Sequence, residues 1–443
     1  MDKGAIAQLM LPAMLVTIAW GAPFFAAMAV VALLFGLIFF GWSVTPTIAI
    51  RVYSQITEPS YAAAPMFVLM GTILGATGVA EMLFDGIYRM FGPVRGGLLV
   101  AVDLICTLLA ACTGIAAGPV ATMALIALPK MLVQKYDHGI ACGIISAAAT
   151  LGVLIPPSGA IIVYGLMTEL SIGKLYAAAY LPGLMLSALF LIYCLVMPWL
   201  KPYMAPAAPP EMRGGSLKEQ LKLLALGILP VVFLIVAVMV SLFVGICTAT
   251  EAAGVGAFGA LLVSVAYRKF TMKGFSRALL TAYRSAAMIG GMVIGASFFS
   301  AVYMGAGGSI FLQKILKQYD VSVTVFIWLM MLLAFILGFI MSQLSILFIM
   351  TPIFTPILKQ YKVDEIWFAM LFQLNMQIAY LTPPMAPGVY LLKPLCPPEI
   401  SIQEMYIGII PFIVIDTACM IICYLFPPIS TWLPSLIIKA ARG

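Results

Sequence analysis

The chain has 443 residues, 64% of them apolar and only 9% charged, which excludes a soluble globule, whose surface needs roughly a quarter charged residues. Its formal net charge of +7 calls for no nucleic acid, because membrane proteins collect Lys and Arg in cytoplasmic loops. A lone histidine, His138, excludes membrane redox subunits, which need several helical histidines to hold haem or copper.

In chain order, Met1-Asp2-Lys3 leads into an apolar segment with no small-residue cleavage site, so that segment is expected to stay. Runs near or above the ~20 residues that cross a bilayer recur at Phe24 to Trp42, Leu181 to Leu200, Leu223 to Phe243, Ala286 to Met304 and Ile407 to Leu425. None alternates in polarity as a barrel strand would, so the expected class is an all-α polytopic membrane protein. The segment Gly41 to Glu58, with Arg51 and Glu58 as its only charges, reads as a loop. Ala110 to Gly118 is a run of small residues closed by Pro119, expected at the tip of a hairpin that enters and leaves on one face. Lys130, Lys135 and Asp137 read as an exposed interfacial turn. Next comes Leu151-Gly152-Val153-Leu154-Ile155-Pro156-Pro157-Ser158, where two consecutive prolines remove backbone donors and force the preceding residue toward an extended conformation. The helix must open there, freeing carbonyl oxygens of the kind that hold hard cations.

Residues 201–220, with four prolines and a Gly-Gly pair, form the expected linker. Beyond it the pattern returns: Ile378-Ala379-Tyr380-Leu381-Thr382-Pro383-Pro384 stands 227 residues after the first motif, with Pro356 on Pro129 and Asp364 on Asp137. Ala252-Ala253 falls on Ala26-Ala27, Gly307 on Gly78, and Tyr406 on Tyr176 with slight slippage. Gly338 to Ser345 stands where the first hairpin tip does. Two repeats are expected, 1–200 (hairpin about 105–130, broken helix about 140–168) and 221–443 (hairpin about 333–357, broken helix about 366–394). Such duplication points to a secondary transporter with its site between the repeats.

No acidic residue lies between Glu251 and Asp320, while Arg268, Lys269, Lys273, Arg277 and Arg284 crowd one region, read as a cytoplasmic loop. Its counterpart at Gly41 to Glu58 is then periplasmic, the repeats are inverted, the linker is cytoplasmic and both termini lie outside. Asp103 and Asp416 sit in apolar runs and are functional candidates by default, unless each lies at a helix end or bonds a neighbouring helix. Glu251 is expected to cap a helix with Thr248 or Thr250. The eight cysteines form no CxxC pair and read as small core residues, and the 29 methionines as core filler.

The two Pro-Pro motifs, with Cys247-Thr248-Ala249-Thr250-Glu251-Ala252-Ala253 opening the second half, resemble the large membrane subunit of tripartite ATP-independent periplasmic (TRAP) transporters over essentially the whole chain. The resemblance implies a sodium-coupled, elevator-type transporter in the bacterial inner membrane, fed by a periplasmic substrate-binding protein and paired with a small four-helix membrane subunit. Sodium is the implied coupling ion, with no organic cofactor. The implied sodium ligands are Thr113, Gly114, Gly152, Ile155, Pro156, Ser158, Ser342, Leu381 and Thr382. The implied substrate contacts are Thr113, Gly114, Ser158, Ser342, Gln343, Asn375 and Gln377. The chain departs from the family pattern: Thr113-Gly114-Ile115 replaces Ser-Gly-Ser, Pro119 and Ser342 stand where aspartates are common, and Gln377 replaces a frequent glutamate. A site with so few acids must bind cations through dipoles. Asn375 and Gln377 resemble a branch that takes 2-oxo acids and other organic anions.

The expected function is secondary import of a small organic anion: a carboxylate, 2-oxo acid, sugar acid or sulfonate. The alternatives are a self-sufficient sodium/carboxylate symporter of the same superfamily and a membrane enzyme. The chain has no HExxH, GxSxG or histidine-plus-acid cluster for enzyme chemistry.

Overall fold

The computed structural model describes residues 3–114, 116–207, 217–384 and 386–440. Helices account for nearly all of them, and no strand occurs among the described residues. The first half begins with α1 (Lys3–Ala7), α2 (Met10–Ala19), α3 (Phe24–Phe40), α4 (Val44–Ile56), α5 (Ala63–Gly75) and α6 (Val79–Phe91). It continues with α7 (Gly97–Thr113), α8 (Ala117–Val133), α9 (His138–Leu154), α10 (Gly159–Thr168) and α11 (Ile172–Leu200). The second half opens with α12 (Leu217–Phe243), α13 (Ala249–Ala266), α14 (Met272–Gly305), α15 (Gly308–Gln318) and α16 (Val323–Leu337). It closes with α17 (Gln343–Gln360), α18 (Glu365–Leu381), α19 (Pro387–Leu392), α20 (Ile402–Leu425) and α21 (Pro428–Ala440). Among the described residues, seven helical segments are long and apolar enough to cross a membrane, and eight if the bent pair Pro59–Gly75 and Val79–Phe91 counts as one span.

Some helix-end signals recur between the two halves. Gly78 and Gly307, both at positive φ (72° and 82°), start α6 and α15. Asp137 and Asp364 cap α9 and α18 with their carboxylates. Such oxygens satisfy amides that the first helical turn leaves without partners. α11 and α20 run in opposite directions. Phe190 of α11 meets Phe412 of α20, while farther back along α11 the Pro182 carbonyl faces the Cys419 thiol farther on along α20. In the same way Trp367, at the start of α18, donates to the Cys423 carbonyl at the end of α20 (3.0 Å). The start of α9, by contrast, lies against the start of α20.

That last contact is backbone on backbone. Gly139 and Gly143, spaced four apart on α9, face Gly408 of α20 so closely that a Cβ on Gly408 would stand 1.9 Å from the Gly139 carbonyl oxygen. Lipid tails are as apolar as leucine, so helices in a bilayer associate through such close approach of small residues rather than through the hydrophobic effect.

Three expectations are corrected. Gly41 to Glu58 is not a loop: after a short 3-10 turn it forms α4, whose Ile50, Tyr53 and Ile56 are exposed. The cationic region is a loop only up to Thr271, because Lys273, Arg277 and Arg284 lie on α14, which Thr271 caps. Lys130 belongs to the last turn of α8, where it pairs with Asp85 of α6 at 2.6 Å and lies over the Phe84 ring. Neither Asp103 nor Asp416 sits at a helix end; both are buried within α7 and α20, and Asp103 accepts a hydrogen bond from Ser187 of α11 at 3.3 Å. Thr248 and Glu251 form the reciprocal cap of α13, while the Thr250 hydroxyl donates to the Pro59 carbonyl. Linker residues 208–216 lie outside the described residues.

Candidate functional site

The site is built where four helix interruptions meet. In the first broken helix, Pro156 and Pro157 cannot donate to the carbonyls of Gly152 and Val153, so α9 ends at Leu154. Ile155 then turns extended (φ −76°, ψ 126°), as a residue before proline must. In the second, Pro383 and Pro384 do the same to the carbonyls of Ala379 and Tyr380, and Thr382 is extended at φ −81°, ψ 130°. The first hairpin turns at Gly114, left-handed at φ 63°. The second turns between Gly338 and Ser342, whose hydroxyl accepts from the Ser345 amide to start α17.

These four features come together around one small apolar cluster, separate from the main core. Ala116 from the first hairpin packs there with Val153 and Ala160 from either side of the first break, and Leu344 of α17 and Tyr380 of α18 close over it. The contact of Gly114 with the first break is tight: an added Cβ would lie 2.5 Å from the Pro157 carbonyl oxygen. The second hairpin meets the second broken helix at Gly338, where an added Cβ would lie 2.4 Å from the Ala379 side chain. Ser146 of α9 reaches α19 through the Gly388 carbonyl at 3.4 Å.

The individual side chains divide into groups. Gly152, Ile155, Pro156, Ser158 and Leu381 are buried at the breaks. The Ser158 hydroxyl donates to the Val153 carbonyl that Pro157 leaves without a donor, and Thr382 donates back to the Ile378 carbonyl at 2.7 Å. Ser342 is exposed at the hairpin turn and shares a hydrogen bond with the Ser345 hydroxyl. Gln343 turns toward α18 and donates to Gln373 at 3.0 Å. The Asn375 amide is engaged by the Met331 carbonyl of α16 at 2.8 Å, which ties the second hairpin to α18. Gln377 is buried with neither end of its amide hydrogen-bonded among the described residues. A buried amide in that condition calls for a ligand or water. Thr113 ends α7, and its side chain lies outside the described residues, as does Ile115.

Two tyrosines supply what the motif reading missed. Tyr176 of α11 donates to the Ser158 carbonyl at 3.3 Å, and Tyr406 of α20 donates to the Pro384 carbonyl at 3.0 Å. The signal was present, since the two tyrosines match between the halves; what the sequence lacks is any sign that they reach back to the breaks. Tyr176→Phe and Tyr406→Phe each remove one hydrogen bond worth ~1 kcal/mol. Each is expected to lower transport several-fold with folded yield near wild type, read as uptake per purified transporter.

The arrangement has a definite electrostatic character. The C-terminal ends of α7, α9 and α18 bring carbonyl oxygens to the junction, while the N-terminal ends of α8, α10 and α17 bring amide hydrogens. Helix ends of opposite sense side by side offer partial negative charge for a cation and partial positive charge for an anion.

The chain is similar to known proteins over most of its length. The family described as tripartite ATP-independent periplasmic transporter, DctM component, matches residues 11–429. The C4-dicarboxylate TRAP transporter large permease protein of Pseudomonas aeruginosa is 29% identical over 395 residues, 88% of this chain and 89% of that one. The sialic acid TRAP transporter large permease protein of Vibrio cholerae is 27% identical over 381 residues, 84% and 86% of the two chains. In fold, the chain is similar to the Neisseria gonorrhoeae efflux pump MtrF, with TM-score 0.60, 10% identity and coverage of 88% and 85%. With the family matched from end to end over the two broken helices and both hairpins, this chain belongs to the large permease (DctM) family of tripartite ATP-independent periplasmic transporters.

Proposed function

We propose that the chain is the permease of a sodium-coupled importer of a small organic anion, a carboxylate, 2-oxo acid, sugar acid or sulfonate. It receives substrate from a periplasmic binding protein and works with a small four-helix membrane subunit in the bacterial inner membrane. The observation that carries this reading is the convergence of both hairpins and both broken helices on Ala116, Val153, Ala160, Leu344 and Tyr380. Relatives named for C4-dicarboxylates and sialic acid support a carboxylate-bearing substrate. The opposed directions of α11 and α20, and of α9 and α18, support inverted repeats, with α7–α8 and α16–α17 as re-entrant hairpins and an elevator movement of the site across the membrane.

The donor set fits sodium. Hard cations take carbonyl and hydroxyl oxygens; the breaks supply the Gly152 and Tyr380 carbonyls, freed of proline donors, with the hydroxyls of Ser158 and Thr382 beside them in sequence, while Ser342 stands at the second hairpin turn and Thr113 directly precedes Gly114 of the first. The coupling ion then supplies the driving force, and the amide ends of α8, α10 and α17, with the Gln377 amide, face the anion. A site made of neutral dipoles loses affinity when one oxygen is removed. Thr113→Val and Ser342→Ala are therefore expected to raise the sodium concentration for half-maximal uptake several-fold, while Lys135→Ala, on the turn between α8 and α9, leaves it unchanged. Sodium titration of uptake in proteoliposomes tests this. Folded variants of both residues with wild-type sodium and substrate dependence would remove them from the site.

A further inference from the structure

A cleft of about 360 Å³ opens beside the first hairpin. Thr72 of α5, Gly118, Pro119 and Thr122 at the start of α8, and Arg277 and Thr281 of α14 form its walls. One wall includes Gly118 and Pro119, close in sequence to the hairpin turn whose Gly114 lies against Pro157 and Gly159 of the first break. The facing wall is the start of α14, which carries Lys273 and follows Arg268 and Lys269. Cationic flanks of this kind mark the cytoplasmic side. The cleft lies between the first hairpin and the cationic start of α14, and its volume is in the range that holds a small organic molecule.

Its chemistry is one-sided. Arg277 is the only charged side chain among the described residues that line it. The threonine hydroxyls already donate within their own helices, Thr72 to Val68, Thr122 to Gly118 and Thr281 to Arg277. Among the described residues no carboxylate pairs with Arg277, and the sequence offers no acid between Glu251 and Asp320. A fixed cation on the wall of a cleft in a low-dielectric protein concentrates anions and repels cations. Arginine stays charged at all working pH values and presents a planar fork that fits a carboxylate or sulfonate.

We propose that this cleft is the cytoplasmic exit of the candidate site and that Arg277 is the fixed cation that makes the exit selective for organic anions. The inference rests on the reading of the chain as an anion permease and adds the side of release, the route and the residue that sets its charge preference.

The test uses the whole chain with Thr122→Cys as reporter and the partly exposed Cys247 and Cys396 replaced by serine. In inside-out membrane vesicles, the thiol is modified with a negatively charged methanethiosulfonate sulfonate or a positively charged trimethylammonium analogue, each rate normalised to a free thiol. The anionic reagent is expected to react roughly fivefold or more faster than the cationic one, as a nearby unpaired charge requires. Arg277→Gln should bring the ratio close to one and Arg277→Lys should keep it. A ratio unchanged by Arg277→Gln overturns the role of Arg277, and a thiol reached only from the periplasmic face overturns the exit. Ala121→Cys, on the same wall, replaces Thr122→Cys if that variant does not fold. Labelling needs no turnover, so uptake with the wrong labelling pattern sinks this inference alone. Correct labelling without uptake sinks the transport reading instead.

Discussion

Gly114→Ala is expected to lower uptake about tenfold or more while much of the protein still reaches the membrane folded. Two costs coincide at this one position. The backbone is left-handed at φ 63°, which costs a residue with a Cβ ~1–2 kcal/mol. The new methyl group would also stand 2.5 Å from the Pro157 carbonyl oxygen, closer than any stable contact. Relief requires the hairpin turn to withdraw from the first break, which separates Ala116 from Val153 and Ala160 and opens the junction of helix ends. A shift of about 1.4 kcal/mol in the population of the competent junction is tenfold. The measurement is initial uptake per folded transporter, with size-exclusion behaviour as the folding control; a fully active Gly114→Ala protein would show that the tight contact plays no part in transport.

Gly408→Leu should be more damaging and of a different kind. Here the obstruction is the backbone of α9, with the Gly139 carbonyl oxygen 1.9 Å and its carbonyl carbon 2.3 Å from an added Cβ, so no side-chain rotation makes room. Gly143 meets Gly408 in the same way. α9 and α20 would have to part, and α9 is the buried helix that leads into the first break. Overpacking against a yielding core costs ~1–3 kcal/mol, and an unyielding backbone puts this substitution at or above the upper end. Loss of monodisperse protein after detergent extraction is the expected result, with Gly408→Ala intermediate. Wild-type yield and thermal stability for Gly408→Leu would contradict the described packing.

Much of this was legible in the sequence where local chemistry decides. Proline lacks an amide hydrogen wherever it stands, so Pro156-Pro157 and Pro383-Pro384 announce the ends of α9 and α18 without reference to the rest of the chain. Thr248 with Glu251 reads as a cap for the same reason. Two helices were hidden by their composition. α4 carries Thr, Arg, Ser and Gln among its apolar residues and lies half exposed, so it reads as a loop, and the first turns of α14 are masked by the lysines and arginines that share them. Contacts between distant segments were not legible at all. Ala116, Val153, Ala160 and Leu344 are ordinary apolar residues, and only the fold brings them together. Gly139, Gly143 and Gly408 likewise look like any other membrane glycines until two helices cross on them. Asn375 and Gln377 show the same limit in polar form: two positions apart on α18, one is held by a backbone carbonyl and the other has both amide atoms open.

Sodium coupling and delivery by a binding protein are decided together in proteoliposomes that hold this chain and a small four-helix membrane subunit, with a periplasmic binding protein loaded with radiolabelled substrate on the outside. Uptake is measured with an inward sodium gradient, with choline or potassium in place of external sodium, and with free substrate in place of the loaded binding protein. Accumulation is expected only when the sodium gradient and the binding protein are both present. Equal uptake in choline would contradict sodium coupling, and equal uptake of free substrate would identify a self-sufficient symporter instead.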